Sequence, residues 1–379
     1  MPELLNECCE RLVSIGVPVI RGHLTHPTLH PMVAAQSATW EREDGARTSN
    51  YHHGSNADDW IQSPLHHIVH NTLPHIRRRL EGPDELLDFP ILSVLKERGA
   101  TDYLGYAVPF AGRVDAASTD DGIVGSWVTN RPGGFSNGDF DALFRVQRAL
   151  AVACKVLIRE QITRTILTTY LGTDAGHQVL RGNIQRGDGE RIRAIIWYSD
   201  MRNSTPLADR LSGPQFIDAL NQYFECSAGA VIKHGGEVLR FIGDAVLGIF
   251  PVRDGRTEAP AQQALAAAVE AERRLVEVNA RRRSNHEVEV DFGLALHIGE
   301  VMYGNIGVAE RLEFSVTGPA ANEVARMESL TKTLGQRVVI SAALAGIAGA
   351  PLDSLGFHTL RGVATPQEVF GLKALPAPT

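Results

Sequence analysis

The sequence has few cysteines, no long apolar run and no excess of basic charge. Four cysteines in 379 residues fit neither a zinc site nor a disulfide framework, so we expect reduced thiols in a cytoplasmic protein. No stretch approaches roughly 18 uninterrupted apolar residues, which excludes a predicted transmembrane helix. The net charge of −7 offers no footprint for nucleic acid. The acidic amphipathic start, residues 1–16, lacks the basic segment of a signal peptide.

Two apolar runs in the second half each carry one aspartate to the end of a predicted strand. The run IRAIIWYS predicts a buried β-strand that ends at Asp200. The run EVLRFIGDAVLGIF predicts a β-hairpin with its turn at Gly243 and Asp244. Two carboxylates at such positions suit a hard divalent cation such as Mg²⁺. The alternative is that Asp200 is a helix N-cap and Asp244 an ordinary turn residue.

Residues 1–140 are predicted to form an α/β domain. We expect helices at 2–16, 63–80 and 85–99, strands at 17–25, 102–110 and 122–130, and an irregular segment at 36–62. The order strand–strand–PGGFS–helix, over about residues 100–160, resembles the last part of a GAF domain. That resemblance implies a sensor that binds a small-molecule ligand. Nine histidines between residues 23 and 75 indicate either a metal or haem site or a histidine-rich surface.

Residues 141–172 have no proline or glycine before Gly172, which predicts one long helix between the two halves. Its apolar positions recur by three and four, as in a coiled-coil seam. These positions are Leu143, Val146, Leu150, Ala153 and Leu157. The sequence leaves two interpretations open, a dimerising signalling helix or an amphipathic helix that packs on its own domain.

The second half, residues 190–372, alternates strands and helices in an order that predicts an α+β, ferredoxin-like fold with a mixed sheet and flanking helices. Its blocks WYSDMRNST, HGGEVLRFIGDAVLGIF, ALHIGEVMYGNIG, RLEFSVTGPAANEVARMESL and LRGVATPQEVFGL resemble the catalytic domain of class III adenylate and guanylate cyclases, in order and spacing. The resemblance implies a homodimer with active sites at its interface. The implied reaction is attack of the ribose 3′-hydroxyl of a nucleoside triphosphate on its α-phosphate.

The resemblance also implies which residues act. Asp200, Asp244 and the backbone carbonyl of Met201 would hold two Mg²⁺ or Mn²⁺ ions per site. The backbone N–H groups that would cradle the phosphates belong to Arg202, Asn203, Ser204 and Thr205.

Five further residues match family positions for substrate contacts. Asn322 and Arg326, one helical turn apart, would orient the ribose and stabilise charge on the transferring phosphate. Arg361 would contact the terminal phosphates. Arg240 and Ser315 occupy the base-selecting positions, where a donor and a short hydroxyl favour adenine, although an arginine fork can also grip guanine.

The chain departs from the family pattern at Asn203-Ser204, where glycine and phenylalanine are usual. Asparagine tolerates a positive φ, so we expect the turn to be kept. The leading hypothesis is therefore an adenylate cyclase regulated by its N-terminal domain. The alternatives are a cyclase for GTP or a pyrimidine nucleotide, and a catalytically silent nucleotide-binding regulator.

Overall fold

The computed structural model describes residues 1–55, 57–110, 121–363 and 365–373. They form two compact units that divide between Ile166 and Leu167. Ala364, which belongs to the block LRGVATPQEVFGL, falls outside the described residues. Among the described helices, none has both the length and the apolar character needed to span a bilayer.

The first unit contains one antiparallel sheet of six strands with helices packed on it. Its elements are α1 (Pro2–Ser14), β1 (Arg21–Pro27), β2 (Val33–Glu41), β3 (Gly45–His52), α2 (Ala57–Ile61), α3 (Pro64–His70), β4 (His75–Arg79), α4 (Pro90–Glu97), β5 (Asp102–Pro109), β6 (Gly122–Thr129) and most of α5 (Asn137–Leu171). The strand order is β3-β2-β1-β6-β5-β4. Tyr106 and Trp127, both fully buried, stack at the centre of its core. The predicted α/β sheet is therefore present.

Two predictions for this unit are wrong. The segment 36–62 is not irregular, since it contains most of β2 together with β3 and α2. β3 is an edge strand with exposed side chains, so its sequence lacks the apolar alternation that identifies a strand. The helix predicted over 63–80 ends at His70, Thr72 takes a positive φ of 54°, and strand β4 follows. Pro74, next to that turn, has no N–H with which to continue a helix.

The long connector helix is present as α5, and its buried face includes the predicted seam positions Leu143 and Leu150. Leu143, Leu150, Cys154 and Ile158 are buried against the core of the first unit. Leu157, which belongs to the predicted seam, is 39% exposed. Up to Ile158 the helix therefore packs on its own domain, which is the second of the two interpretations left open by the sequence.

The second unit contains an eight-stranded mixed sheet with helices packed on it. Its elements are α6 (Thr173–Leu180), β7 (Gly189–Met201), α7 (Ser204–Arg210), α8 (Gly213–Lys233), β8 (Glu237–Ile242), β9 (Ala245–Pro251), α9 (Glu258–Ser284), β10 (Phe292–Val308), β11 (Arg311–Thr317), α10 (Pro319–Leu334), β12 (Val338–Ser341), α11 (Ala342–Ala348), β13 (Leu352–His358) and β14 (Gln367–Leu372). The order is β13-β14-β12-β10-β7-β9-β8, with β11 paired to β10. Only β10 and β12 run parallel among the described pairs. The predicted mixed sheet with flanking helices is confirmed.

The central pair of this sheet is β7 and β10, which pair antiparallel from Gly189 to Met201. β10 is one continuous strand of 17 residues. Gly299 and Gly304 do not break it, because each stands where another chain segment or side chain leaves no room for a Cβ atom. This pairing fixes the end of β7, and therefore the position of Asp200.

A carboxyl pair lies between α6, β8 and β10. The Tyr303 hydroxyl lies 3.0 Å from Asp174 Oδ2 and 3.3 Å from Glu237 Oε2. Burial first, and then the charge of Asp174, raises the pKa of Glu237 to about 7. The side chain of Tyr303 can donate only one proton to the two acids. The pair therefore holds a proton more tightly in the folded chain than in the unfolded one.

We expect Glu237→Gln to stabilise the protein above pH 7 and to change little below pH 4.5. Because the folded-state pKa lies above the unfolded value, stability is lost as the pH rises through the interval between them. After allowing for partial exposure, the gain should be about 1 kcal/mol, or roughly 2–4 °C in the melting temperature. Thermal unfolding from pH 4.5 to 8.5 measures it, with the exposed Glu310→Gln as control. An equal shift at both ends of the range would contradict the argument.

Candidate active site

Asp200 and Asp244 lie side by side at one end of the β7–β9 pair. Asp200 pairs with Ala245 in the register of the two strands, and Asp244 is in the turn just before it. Both carboxylates are partly buried. Burial, and next the charge of Asp244, raises the pKa of Asp200. Two acids held together in this way are stabilised by a cation.

The peptide between Met201 and Arg202 turns the Met201 carbonyl towards the same place. The Met201 N–H lies 3.3 Å from the carbonyl oxygen of Asp244, and the Arg202 N–H donates to the Asp291 carbonyl at 2.8 Å. In a planar trans peptide the N–H and the C=O point to opposite sides. The Met201 carbonyl therefore points away from Asp291, towards the side of Asp244.

These three oxygens fit a hard divalent cation. Two carboxylates and one carbonyl form an all-oxygen donor set, which Mg²⁺ and Mn²⁺ prefer over nitrogen or sulfur. No cluster of three or more histidine, cysteine, aspartate or glutamate side chains arranged for a metal occurs in the described residues. The remaining ligands of a cation at this place would have to come from water or from a bound phosphate.

Asn203 forms a left-handed turn immediately before α7. Its φ of 56° and ψ of 29° lie in the left-handed region, and α7 begins at the next residue, Ser204. Ser204 and Thr205 are the first residues of that helix, where backbone N–H groups have no partner within the helix. Asn203 therefore takes a positive φ, the conformation that asparagine was expected to tolerate here.

We expect Asn203→Gly to be nearly neutral and Asn203→Ala to be harmful. A Cβ atom without a local polar group costs about 1–2 kcal/mol in the left-handed region, whereas glycine avoids that strain. Thermal unfolding and turnover of the two variants measure the difference. Asn221→Ala, at an exposed position in the middle of α8, is the matched control. Equal behaviour of the glycine and alanine variants would refute this role of the backbone.

Arg202 does not take the expected place beside the phosphates. Its backbone N–H is occupied by Asp291, and its guanidinium bonds to Asp291, Thr331 and Gln336. The prediction that its N–H cradles substrate is wrong, because a neighbouring loop has already taken that donor. Of the four residues predicted to cradle the phosphates with their backbone N–H groups, Asn203, Ser204 and Thr205 remain candidates.

Asn322, Arg326 and Arg361 come together on a different part of the unit. Asn322 and Arg326 are one turn apart on α10. A Cβ atom at Gly362 would lie 3.1 Å from Arg326 Nη1, so this guanidinium rests against the loop that carries Arg361. Across the described ranges, none of the three side chains has a hydrogen bond or ion pair, and none is joined to Asp200 or Asp244. An arginine without such a partner can bind an anion.

Arg240, one of the two positions predicted to select the base, pairs with a residue that the sequence did not single out. Arg240 Nη1 lies 2.6 Å from Glu313 Oε2, across β8 and β11. Ser315, two residues after Glu313 on β11, is 2% exposed. Its hydroxyl and Arg240 Nε are buried without a partner among the described atoms. Because residues i and i+2 share one face of a strand, Ser315 could have drawn attention to Glu313.

The first unit contains a large cavity bordered by histidines. Its volume is about 1380 Å³. The bordering histidines are His23, His26, His52, His53, His66 and His70. Burial lowers the pKa of His23 to about 3, and its Nδ1 lies 2.8 Å from Thr39 Oγ1. His26 Nε2 is buried with no partner in the described chain. The metal interpretation of the histidines has no support, because no three-ligand cluster is found in the part described.

Comparison with known proteins identifies the second half. Residues 190–354 match the family described as the adenylate and guanylate cyclase catalytic domain. An uncharacterized protein of Mycobacterium tuberculosis is 28% identical over 204 residues, which cover 54% of this chain and 36% of that protein. An adenylate cyclase of Anabaena cylindrica is 29% identical over 163 residues, which cover 42% of this chain and 31% of that enzyme. The chain thus spans about a third of the length of these curated relatives.

Solved structures with a similar fold include two cyclases. The adenylyl cyclase CyaB from P. aeruginosa aligns with a TM-score of 0.46 and 19% identity, over 50% of this chain and 97% of that one. The guanylyl cyclase Cya2 aligns with a TM-score of 0.44 and 29% identity, over 50% of this chain and 96% of that one.

Proposed function

Residues 190–354 belong to the adenylate and guanylate cyclase catalytic domain family, and on that premise we propose that the chain converts ATP to 3′,5′-cyclic AMP and pyrophosphate. The observation that carries the proposal is the pairing of two partly buried aspartates at the end of β7. Burial, and next the charge of Asp244, raises the pKa of Asp200, and a bound cation would relieve the repulsion between the two carboxylates. The unpaired arginines of α10 and the 361–362 loop support it, since a triphosphate requires positive partners.

Asp200, Asp244 and the Met201 carbonyl would hold two Mg²⁺ or Mn²⁺ ions. When bound, such ions lower the pKa of the attacking 3′-hydroxyl and neutralise the phosphates. Asn203, Ser204 and Thr205 stand at the start of α7, where backbone N–H groups have no partner within the helix, and these donors would orient the phosphates.

Asn322 and Arg326 would act on the reacting groups. The amide of Asn322 would orient the ribose, and the guanidinium of Arg326 would stabilise negative charge as it develops at the α-phosphate. Arg361, exposed on the neighbouring loop, would bind the terminal phosphates. Within the described residues, neither arginine has a hydrogen-bond or ion-pair partner to give up before it binds substrate.

We place the complete site between two copies of the chain. Exposed apolar side chains flank the site residues. Phe241 is 53% and Ile242 is 39% exposed at the end of β8, just before the turn that contains Asp244. Ile306 and Val308, at the end of β10, are also exposed. A two-fold dimer would cover such surfaces and create two equivalent sites. Each site would combine the aspartates of one copy with Asn322 and Arg326 of the other.

ATP is the proposed substrate because Arg240 and Ser315 offer one donor and one hydroxyl to the adenine edge. GTP is the second candidate, favoured by one observation. With Nη1 engaged by Glu313, the Nε side of the Arg240 fork remains unpartnered among the described residues. That planar fork can bind two adjacent acceptors such as O6 and N7 of guanine.

The first unit is proposed to be a GAF-like sensor that regulates the cyclase. Its cavity is bordered mainly by apolar and neutral groups, including the buried His23 and His26. Such a lining favours a largely apolar ligand with a few polar groups. Helix α5 continues from this unit towards the catalytic one and would carry the signal.

One experiment tests the proposal. The purified protein is incubated with Mg²⁺ or Mn²⁺ and each of the four nucleoside triphosphates in turn, and the products are identified by mass spectrometry. We expect cyclic AMP from ATP. A cyclic product from GTP alone would replace the adenylate assignment with a guanylate one. No cyclic product from any nucleotide would leave the silent-regulator hypothesis standing.

A further inference from the structure

The side chain of Arg202 connects three separate segments immediately beside the two proposed metal ligands Asp200 and Met201. Its Nη2 lies 2.7 Å from the Gln336 carbonyl and 3.3 Å from the Thr331 carbonyl. Its Nη1 lies 3.2 Å from Asp291 Oδ2. The side chain is 20% exposed, so most of it is withdrawn from solvent. Both terminal nitrogens of this guanidinium, next to the metal ligands, therefore bind protein acceptors, while its Nε is buried without a partner among the described residues.

The first of these contacts is at the C-terminal end of α10. This helix ends at Leu334, and Gly335 follows with a φ of 63°. The last carbonyls of a helix have no partner within it and carry partial negative charge. The Thr331 carbonyl already accepts the Gln336 N–H at 3.1 Å, and the Arg202 guanidinium binds it as a further donor, together with the Gln336 carbonyl just beyond the helix. The guanidinium thereby ties the metal segment to the helix that carries Asn322 and Arg326.

The second contact consists of two hydrogen bonds to Asp291. The Arg202 backbone N–H donates to the Asp291 carbonyl at 2.8 Å, while the guanidinium binds the carboxylate of the same residue. That carboxylate is held from its other side by Arg337, whose Nε lies 2.8 Å from Oδ1. Arg337 also pairs with Glu272 at 3.4 Å. The anchor is therefore itself fixed and does not rotate freely.

These contacts determine the direction of the Met201 carbonyl. The peptide joining Met201 to Arg202 is planar, so fixing its N–H on Asp291 fixes its C=O on the opposite side. The chain turns sharply at the next residue, where Asn203 adopts a left-handed conformation. Without the side-chain anchor, a single backbone hydrogen bond would have to hold the peptide at the start of this turn.

We propose that Arg202 is a positioning residue, which aims the Met201 carbonyl at the metal site by tying the metal segment to Asp291 and to the end of α10. This inference rests on the proposed function, which supplies the metal. It assigns Arg202 a role that does not involve contact with the substrate. Groups that orient metal ligands in other proteins typically change metal affinity by about 10–100-fold when removed.

The test compares Arg202→Gln and Arg202→Lys with the wild-type chain. Mn²⁺ binding is measured by electron paramagnetic resonance in the presence of a non-reactive methylene analogue of ATP. Turnover of ATP is measured against Mn²⁺ concentration. We expect Arg202→Gln to raise the half-saturating Mn²⁺ concentration about tenfold or more in both assays. The KM for ATP at saturating Mn²⁺ should change less than about threefold, and lysine should recover part of the loss because it keeps the charge without the fork.

Arg78→Gln is the matched control. Arg78 also forms an ion pair, 2.8 Å from Asp88, and its side chain is 17% exposed, but it belongs to the first unit. Asp291→Ala is a second test, which removes the carboxylate that the Arg202 guanidinium binds. It replaces Arg202→Gln if that variant does not fold. Arg337→Gln disturbs Asp291 without touching Arg202 and should have a smaller effect.

Each outcome is decisive. Unchanged Mn²⁺ affinity in folded Arg202→Gln or Asp291→Ala, with only a lower melting temperature, would overturn the positioning role. The wild-type protein could also make no cyclic product while these variants bind Mn²⁺ more weakly than it does. That result would support the positioning role and reject the cyclase proposal. The binding assay does not depend on turnover, so the two failures are distinguishable.

Discussion

Replacing Asp244 with alanine is expected to lower cyclase turnover at least about a thousandfold, or roughly 4 kcal/mol in the barrier. The change removes one of two carboxylates that would share both cations, and Asp200 with one carbonyl is a poor site for the pair. Stability should be kept, because removal of Asp244 relieves the repulsion that raises the pKa of Asp200. Product formation at saturating Mn²⁺ and thermal unfolding measure the two effects.

Asp254→Asn is the control for this prediction. Asp254 is an exposed acid of the same unit with a positive φ of 55°, a conformation that asparagine also tolerates. It should retain wild-type turnover. Substantial activity of folded Asp244→Ala would show that the two aspartates do not form the metal site.

Mixing inactive Asp200→Ala and Arg326→Ala chains is expected to restore about a quarter of the wild-type activity. With random exchange, half of the dimers contain one chain of each kind. In such a dimer one site receives both substitutions, and the other combines intact aspartates from one chain with an intact Arg326 from its partner. The recovery should appear only after subunits exchange, which cyclic AMP formation over time can follow.

The control mixes Asp200→Ala with Asp244→Ala chains. Both substitutions affect the same half of the site, so every mixed dimer lacks one aspartate at each of its sites. This mixture should remain inactive at any ratio. If mixed dimers are demonstrated by differential tagging and the first mixture also stays inactive, the site does not combine residues of two chains.

The position of the metal segment was predictable because its signals are local. The unbroken apolar run before Asp200 indicates a buried strand, and Gly243-Asp244 between two apolar runs indicates a hairpin. The left-handed turn at Asn203 was also predictable, since asparagine is among the few residues that accept it. Each of these conclusions depends on a few neighbouring residues.

Signals of this kind were absent or misleading elsewhere. The edge strand β3 carries exposed polar side chains, so no apolar pattern distinguishes it from a loop. In α5 the apolar spacing of three and four is equally consistent with a dimer seam and with packing on the same domain. Burial of Leu143, Leu150, Cys154 and Ile158 in the first unit decides this for the first part of the helix.

The sequence by itself determined the mixed sheet of the second half, the strand ends that carry Asp200 and Asp244, and the cyclase family. Only the tertiary structure decided that Arg202 turns to the Gln336 carbonyl, 134 positions later, and that Glu313 pairs with Arg240 across 73 positions. The physical reason is that periodicity and turn residues act over a few positions. The partner of a charged side chain is instead chosen by whichever acceptor the folded chain brings within about 3 Å of it.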